Sequence, residues 1–376
     1  MRITSLSPLL LGALAIGCAR GALPGPAYPA VTVRGAVPSP TASVCATDFD
    51  SVYAILTRDY SGYNDRMAES APRIAAVADS VRAAVRTVGS DSACTATIER
   101  WTALFREHDH HLQFWQLRGN APAAETDSAR EARRPRIHFA DDSTAVITLP
   151  NFARRYKPAI DSLVAAHRDR LLATPFLVVD LRRNPGGADA SFRSVMTLLY
   201  TNPIPREGFD VWVSEGTIAD ARPMLADPQT DEATKTQIRD AIRLFETRGK
   251  GYLLEGTGGE VRYDTVYAMP RAVAVVTGRG CASSCEQFVL DAMHSRKVTV
   301  FGTTNTAGLL DYGNVRQITL PSGIRRLATP STRSRRLPHR QLDKTGIAPH
   351  VVIPKTEPDL IAYATRYIRA AGSPTR

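Results

Sequence analysis

Two adjacent serines, Ser283 and Ser284, stand in a stretch whose residue order suits nucleophilic chemistry. The stretch runs from Thr277 to Glu286, and two glycines precede the serines. A serine at the start of a helix lies beside backbone N–H groups that have no partner within the helix, and such groups can stabilise an oxyanion. Alternatively, the serines only cap the helix, with Glu286 completing a capping box.

Two elements must position these serines. Ala272 to Val276 is a short apolar run, which predicts a fully buried strand ahead of the turn. Apolar residues then recur at helical spacing, at Phe288, Val289, Ala292 and Met293. The serines are therefore expected where a buried strand ends and a helix begins.

A second strand and turn could complete the site. Phe176 to Leu181 is an apolar strand that runs into a turn containing Gly186 and Gly187. Glycine allows another part of the backbone to approach closely. This turn could therefore supply a second N–H group to an oxyanion.

Histidines cluster in His108-Asp109-His110-His111, where a helical pattern gives way to an alternating one. Such a cluster could bind a metal ion. However, His110 and His111 would point apart on a strand, and no carboxylate pattern completes a ligand set. No metal site and no cofactor are therefore expected. The cluster could supply a catalytic base, or it could be a solvated cluster or contain a core histidine.

These motifs together resemble a family of serine peptidases that includes the C-terminal processing peptidases, the tricorn core peptidase and the interphotoreceptor retinoid-binding protein repeats. Its pattern D-L-R-x-N-x-G-G matches Asp180 to Gly187, and its serine three residues before a glutamate matches Ser283 and Glu286. Its final Gly-[Ile/Val]-x-Pro turn matches Gly346 to Pro349. The resemblance, which covers residues from about 136 to 355, implies an α/β fold with the spiral core of Clp peptidases and crotonases.

The resemblance also nominates a base and an acid. In the processing peptidases a lysine beyond the serine is the base, but the matching position is Gly308, or Leu309 after a one-residue shift, and neither can accept a proton. The tricorn-like branch uses the histidine of an Asp-x-His element, which falls on His111. Its acid falls on Asp343, in place of the usual glutamate.

The implied mechanism has Ser283 attack a peptide carbonyl while His111 takes the serine proton and Asp343 orients the imidazole. Asp343 could equally be a turn residue paired with Lys344. The implied oxyanion donors are the backbone N–H groups of Ser284 and of Gly186 or Gly187.

The first residues predict export. Residues 1–17 have the charge pattern and apolar run of a signal peptide. Ala15 to Cys18 resembles a bacterial lipobox, which favours lipidation of Cys18 over ordinary secretory cleavage. Residues 18–44 are rich in Pro, Gly and Ala and predict a flexible tether. We therefore expect a periplasmic or outer-membrane-associated lipoprotein of a bacterium.

Four cysteines remain besides Cys18. Export favours disulfides. Of the three possible connectivities, the one that keeps each pair in its own region joins Cys45 to Cys94 and Cys281 to Cys285. The second bridge would enclose Ser283 and stiffen its turn.

Periodicity predicts a helical domain over 45–115, in which Thr47 and Asp50 resemble a capping box at the first helix start. A linker over 116–135 is too short for a PDZ domain. Alternating strands and helices predict an α/β core over 136–370. Residues 203–263 interrupt this core, either as a mobile flap over the active site or as a plain surface insertion.

The chain is basic, with 47 Lys and Arg against 37 Asp and Glu, a net charge of +10. Arginines concentrate between Arg325 and Arg340. In an exported protein this favours anionic surfaces or acidic peptides over nucleic acid, because no nucleic-acid-binding motif accompanies the charge. The simplest interpretation of the basic stretch is a solvated face.

The sequence thus predicts an exported serine peptidase that acts on a peptide or an unfolded protein and is held to a membrane by a lipid anchor. The alternative is a non-catalytic protein of the same fold that binds a peptide or a hydrophobic ligand. Acyl-CoA chemistry on a crotonase-like core is a weaker alternative, because CoA is a cytoplasmic cofactor.

Overall fold

The computed structural model describes residues 42–117, 126–227, 230, 232–249 and 251–371. The predicted signal peptide, Cys18, most of the tether and part of the 116–135 linker lie outside these residues. Within the described chain, two compact units are assembled from interleaved segments. The helical unit contains 42–117, 209–256 and 312–335, and the α/β unit contains 126–208, 257–311 and 336–371.

The α-helices, in chain order, are α1 (Ala42–Asp59), α2 (Tyr63–Ala84), α3 (Asp91–Arg106), α4 (Asp127–Ala132), α5 (Lys157–Ala166), α6 (Arg168–Ala173), α7 (Arg193–Leu199), α8 (Glu215–Ala221), α9 (Glu232–Arg248), α10 (Ser284–Met293), α11 (Leu342–Thr345) and α12 (Leu360–Ala371). Short 3-10 helices occupy Arg154–Tyr156, Asp189–Phe192 and Arg222–Leu225. No helix within the described ranges is both long and apolar enough to cross a membrane.

The strands are β1 (Gln113–Gln116), β2 (Arg136–Asp141), β3 (Thr144–Thr148), β4 (Phe176–Asp180), β5 (Ile204–Arg206), β6 (Phe209–Val213), β7 (Tyr252–Leu254), β8 (Gly259–Val261), β9 (Ala272–Thr277), β10 (Val298–Gly302), β11 (Tyr312–Thr319), β12 (Arg325–Ser334) and β13 (Val351–Val352).

The α/β unit is built on a sheet with strand order β13-β10-β9-β4-β3-β2. Its neighbours pair in parallel except for β2, which is antiparallel to β3. Parallel strands covered on both faces read as continuous apolar runs, which is why β9 is buried along its whole length. The predicted α/β class is confirmed.

Alternate residues of these strands enter two separate cores, because successive side chains of a strand point to opposite faces. On β9, Val273 and Val275 pack in the core that α5, α7 and α10 cover. Ala272, Ala274 and Val276 pack in the core that α12 covers. The carboxyl ends of β3, β4, β9 and β10 share one edge of the sheet, and the loops that follow them carry the residues described below.

The helical unit packs α1, α2 and α3 around a core that contains Phe49 and Trp101, and the predicted helical N-terminal region is confirmed. The predicted start of its first helix is wrong. Helix α1 begins at Ala42, and Thr47 lies inside it, where its hydroxyl donates to the Ser43 carbonyl at 3.0 Å. Cys45 and Cys94 form the expected disulfide between α1 and α3.

The helical unit also has a sheet, in which β12 pairs with β1, β6 and β11, and β6 pairs with β7. Most of the predicted insertion, residues 209–256, therefore contributes strands and helices to this unit. Whether any part of it moves as a flap stays a prediction. The basic stretch forms β12 and the turn after it. The solvated face expected there is wrong for Arg325 and Arg336, which are buried, whereas Arg335 and Arg340 are exposed.

Candidate active site

Ser283 lies between β9 and α10, at the position that the sequence predicts. Its φ of +56° and ψ of −122° fall outside the ordinary regions for a residue with a side chain. Such backbone strain persists only where surrounding contacts hold it, and it is common at active sites. Ser283 is half-buried, whereas the neighbouring Ser284 is buried.

The carboxylate of Glu286 holds this turn. It is fully buried and accepts the Ser283 N–H at 2.9 Å. It also accepts the Thr306 hydroxyl at 2.6 Å and the N–H groups of Gly308 and Leu309 at 2.8 and 2.7 Å. Burial raises the pKa of the Glu286 carboxyl, and these hydrogen bonds oppose the rise. Glu286 thus joins the serine turn to the loop after β10.

Gly186 packs directly against the serine turn. A Cβ at Gly186 would lie 2.4 Å from the Ala282 carbonyl oxygen and 2.9 Å from the Ser284 nitrogen, and its φ is +91°. Only glycine fits this position. The Ser284 hydroxyl donates to the Gly187 carbonyl at 3.0 Å, so this second serine ties the two turns together.

Two backbone N–H groups remain available to an oxyanion. The N–H of Gly186 donates to the Asn184 side-chain oxygen at 2.8 Å. Among the described residues, neither the Ser284 N–H nor the Gly187 N–H has an acceptor. Of the two glycines between which the sequence does not choose, Gly186 thus has its N–H occupied and Gly187 does not.

Asp343 holds the same loop at its other end. It is buried, and its Oδ1 atom accepts the N–H groups of Leu310 and Asp311, both at 2.8 Å. Its own N–H donates to the Asp311 carboxylate at 2.9 Å. The loop from Thr306 to Asp311 is therefore fixed by Glu286 at one end and by Asp343 at the other, immediately before Tyr312.

His111 belongs to the helical unit, and its ring Nδ1 lies 2.8 Å from the Tyr312 carbonyl oxygen. Its backbone N–H donates to the Asp109 carboxylate at 2.9 Å. Desolvation by burial is the main reason that the pKa of His111 is lowered to about 4. The hydrogen bond to Tyr312 opposes this shift, and the neighbouring His110 adds to it. The imidazole is therefore neutral near pH 7.

Four of the expected site residues lie together in the α/β unit: Ser283, Ser284, Gly186 and Gly187. Asp343 belongs to the same unit, and His111 to the other. Sequence reasoning missed the positioning contacts of Asp109, Asn184 and Thr306, although each carries a polar side chain within or beside a motif. It also missed the Tyr312 carbonyl, because a backbone group gives no signal in the sequence.

Cys281 and Cys285 form the expected disulfide across the serine turn, and both are fully buried. The bridge encloses Ala282, Ser283 and Ser284. The chain segment that carries the strained serine is thus closed into a small ring at the start of α10.

Comparison with known families identifies the chain. The profile of peptidase family S41 matches residues 143–353, which is more than half of the sequence. The chain belongs to this family. It is therefore a serine-type peptidase, and the resemblance recognised in its motifs is confirmed.

Solved structures of S41-type enzymes share the fold. Mature CPAF aligns with a TM-score of 0.60 at 11% identity, covering 87% of this chain and 96% of that one. Mature CPAF complexed with lactacystin gives 0.59 at 12% identity, covering 88% and 97%. The tricorn protease gives 0.51 at 11% identity, covering 88% of this chain and 37% of its own. No curated protein sequence matches this chain.

The loop after β10 carries Gly308 and Leu309, the two positions at which the sequence resemblance places the lysine of the processing peptidases. Their backbone N–H groups donate to the Glu286 carboxylate.

Proposed function

We propose that this peptidase hydrolyses peptide bonds with Ser283 as nucleophile, His111 as general base and Asp343 as a positioning residue. The observation that carries the proposal is the backbone of Ser283, strained at φ +56° between a buried strand and a helix and beside a free helix N–H. The Ser284 and Gly187 N–H groups would bind the oxyanion of the tetrahedral intermediate.

The chemistry follows from the protonation of His111. A carbonyl oxygen can only accept, so the hydrogen bond to Tyr312 requires a proton on Nδ1. A neutral imidazole then carries its lone pair on Nε2, which is the state that a general base needs. Nε2 would take the Ser283 proton as the hydroxyl attacks, and would return it to the leaving amine.

The test compares Ser283→Ala with Ser284→Ala. A fluorophosphonate that labels active-site serines should modify the parent at Ser283, as read by peptide mass mapping. Ser283→Ala should lose labelling and casein cleavage. Ser284→Ala should keep labelling, because the Ser284 hydroxyl already donates to Gly187 and the N–H of residue 284 is retained. Labelling of Ser284 in the parent would refute the nucleophile assignment.

The same experiment separates catalysis from ligand binding. A parent protein that binds peptide but neither reacts with the fluorophosphonate nor cleaves casein would be a non-catalytic binding protein. Lactacystin, which is bound in a structure of mature CPAF, is a further probe. Slower fluorophosphonate labelling after treatment with lactacystin would support a reactive Ser283.

We also propose that the enzyme is exported and anchored to a membrane through a lipid on Cys18. The two disulfides support this proposal, since disulfides persist mainly in oxidising compartments. Expression in a bacterium with labelled palmitate should give a labelled, membrane-associated protein, and Cys18→Ser should abolish both properties. Unlabelled parent protein in the cytoplasmic fraction would contradict the proposal.

A further inference from the structure

Several arginines of the basic stretch are paired with carboxylates. In the helical unit Arg325 pairs with Asp48 at 2.8 Å, and Arg333 with Asp65 at 2.7 Å. Arg335 likewise contacts Asp210 at 3.2 Å. These arginines are neutralised by partners within their own unit. These three are therefore not free to bind an anion.

Three arginines stand in the loops that surround the serine turn. Arg154 follows β3, Arg183 follows β4 and Arg279 follows β9, so all three belong to loops at the carboxyl edge of the parallel sheet. Each side chain is exposed. In the part of the chain that the structure describes, none of the three guanidinium groups has a carboxylate partner.

These loops touch one another. A Cβ at Gly280, the residue after Arg279, would lie 2.3 Å from the Arg182 carbonyl oxygen and 3.2 Å from the Arg183 Cα. Phe152, two residues before Arg154, forms a parallel bridge with Gly187. The three arginines thus flank the Gly186-Gly187 turn and the Ser283 turn within one unit.

Acidic groups in the same loops are already occupied. Asp180 pairs with Arg182 at 2.8 Å, and Asp189 pairs with Arg206 at 3.1 Å. Glu286 is buried and accepts four hydrogen bonds. Neighbouring protein atoms partly desolvate the exposed guanidinium of Arg154, which lowers its pKa. Within these three loops the charges of Arg154, Arg183 and Arg279 are therefore not paired with a carboxylate, and the acid Asp359, which precedes α12, acts on Arg182.

We propose that Arg154, Arg183 and Arg279 bind carboxylate groups of the peptide substrate close to the bond that Ser283 attacks. The inference rests on the proposed function and specifies its substrate class. Guanidinium groups suit this role because their planar N–H fork matches a carboxylate and keeps its charge at any working pH. The carboxylates could be acidic side chains or the carboxyl terminus of the substrate.

A mixture of peptides from a digested proteome tests both sources without a known substrate. Cleavage sites of the full chain, read by mass spectrometry, should be enriched in Asp and Glu near the cleaved bond, or should cluster close to peptide C-termini. Amidating the C-termini of the peptides separates the two sources, since amidation removes the terminal carboxylate and leaves the acidic side chains unchanged. Absence of both enrichments would overturn the inference.

Matched peptides then measure the contribution of the arginines. For a cleaved peptide, kcat/KM should exceed that of its Glu→Gln or end-amidated counterpart. Exposed ion pairs change such a ratio roughly two- to fivefold each. The double variant Arg183→Gln/Arg279→Gln should therefore reduce the preference by about four- to twenty-fivefold, and raising the salt concentration should weaken it in the parent.

Arg296→Gln is the matched control. Arg296 is also exposed, but it precedes β10 and so lies at the opposite edge of the sheet. This variant should keep the full preference, whereas retention of the full preference by the double variant would overturn the inference. Labelling of Ser283 distinguishes failure of this inference from failure of the proposed function. Labelled enzyme that cleaves without preference refutes only this inference, while unlabelled enzyme refutes the proposed function and this inference with it.

Discussion

The imidazole Nδ1 of His111 is held by the carbonyl oxygen of Tyr312 at 2.8 Å. This contact fixes the proton on Nδ1, the task that a carboxylate performs in a Ser-His-Asp triad. The Asp343 carboxylate instead binds the N–H groups of Leu310 and Asp311. Because Tyr312 follows directly in the chain, Asp343 would act on His111 through the backbone of residues 310–312.

Substitution of Asp343 distinguishes an action through the backbone from direct orientation of the His111 imidazole by the carboxylate. Asparagine keeps an oxygen acceptor for both N–H groups, so Asp343→Asn should lower kcat by no more than about tenfold, the scale of one weakened hydrogen bond. Asp343→Ala removes the acceptor from two buried donors, and we expect kcat to fall by about 100-fold or more. Steady-state kinetics on a fluorogenic peptide measure both values. A loss near 10⁴-fold in Asp343→Asn would indicate direct orientation of the imidazole instead.

The same arrangement shows how far the sequence could predict the site. The Asp180 to Gly187 and Ser283 to Glu286 motifs lie where buried strands end, and apolar runs revealed those strands. The role of Tyr312 could not be predicted, because its carbonyl group is common to every residue. The choice of Gly187 over Gly186 likewise depends on which N–H faces Asn184, and chain geometry decides this.

Elements that carry their own apolar pattern could be predicted from the sequence. Elements whose burial depends on ion pairs with residues far away in the sequence could not. Strand β9 and helix α10 occur as expected, since each carries its own apolar pattern. Strand β12 is rich in arginine and lacks a strand pattern. It is buried because acidic residues distant in the sequence, such as Asp48 and Asp65, neutralise it. Such compensation cannot be inferred from composition.

The pH dependence of kcat/KM should report the lowered pKa of His111. A general base must be neutral, and the imidazole becomes protonated only as the pH falls through about 4. Activity should therefore persist at pH 5, where an ordinary histidine with a pKa near 6.5 would be mostly protonated. Rates on one fluorogenic peptide from pH 3.5 to 8 measure this acid limb.

Replacing His110 checks the cause of this shift. His110 contributes to the lowering of the His111 pKa, so His110→Ala should move the acid limb of kcat/KM to higher pH. His138→Ala is the control, since His138 lies on the exposed strand β2 and should leave the limb unchanged. An acid limb near pH 6.5 in the parent would contradict the assignment of His111 as base.

Glu286→Gln should destabilise the enzyme and slow catalysis. Each carboxylate oxygen of Glu286 accepts two hydrogen bonds, at least one of them from a backbone N–H. A glutamine NH₂ group would therefore leave at least one buried N–H without an acceptor, at a cost of about 1–3 kcal/mol. Urea denaturation should show this loss, and labelling of Ser283 should slow. Glu131→Gln, at an exposed glutamate that pairs with Arg134, should change neither property.

The two disulfides should differ in what they stabilise. Sequence separations of 49 for Cys45–Cys94 and 4 for Cys281–Cys285 predict losses of about 4 and about 2 kcal/mol, respectively, in a chain-entropy model. Catalysis should show the opposite order, because only the smaller ring contains the strained Ser283. Replacing both cysteines of a pair by alanine, followed by urea denaturation and fluorophosphonate labelling of the folded protein, measures both effects. Cys281→Ala/Cys285→Ala should slow labelling and Cys45→Ala/Cys94→Ala should not, so equal labelling rates in the two variants would show that the ring does not hold the serine in its reactive conformation.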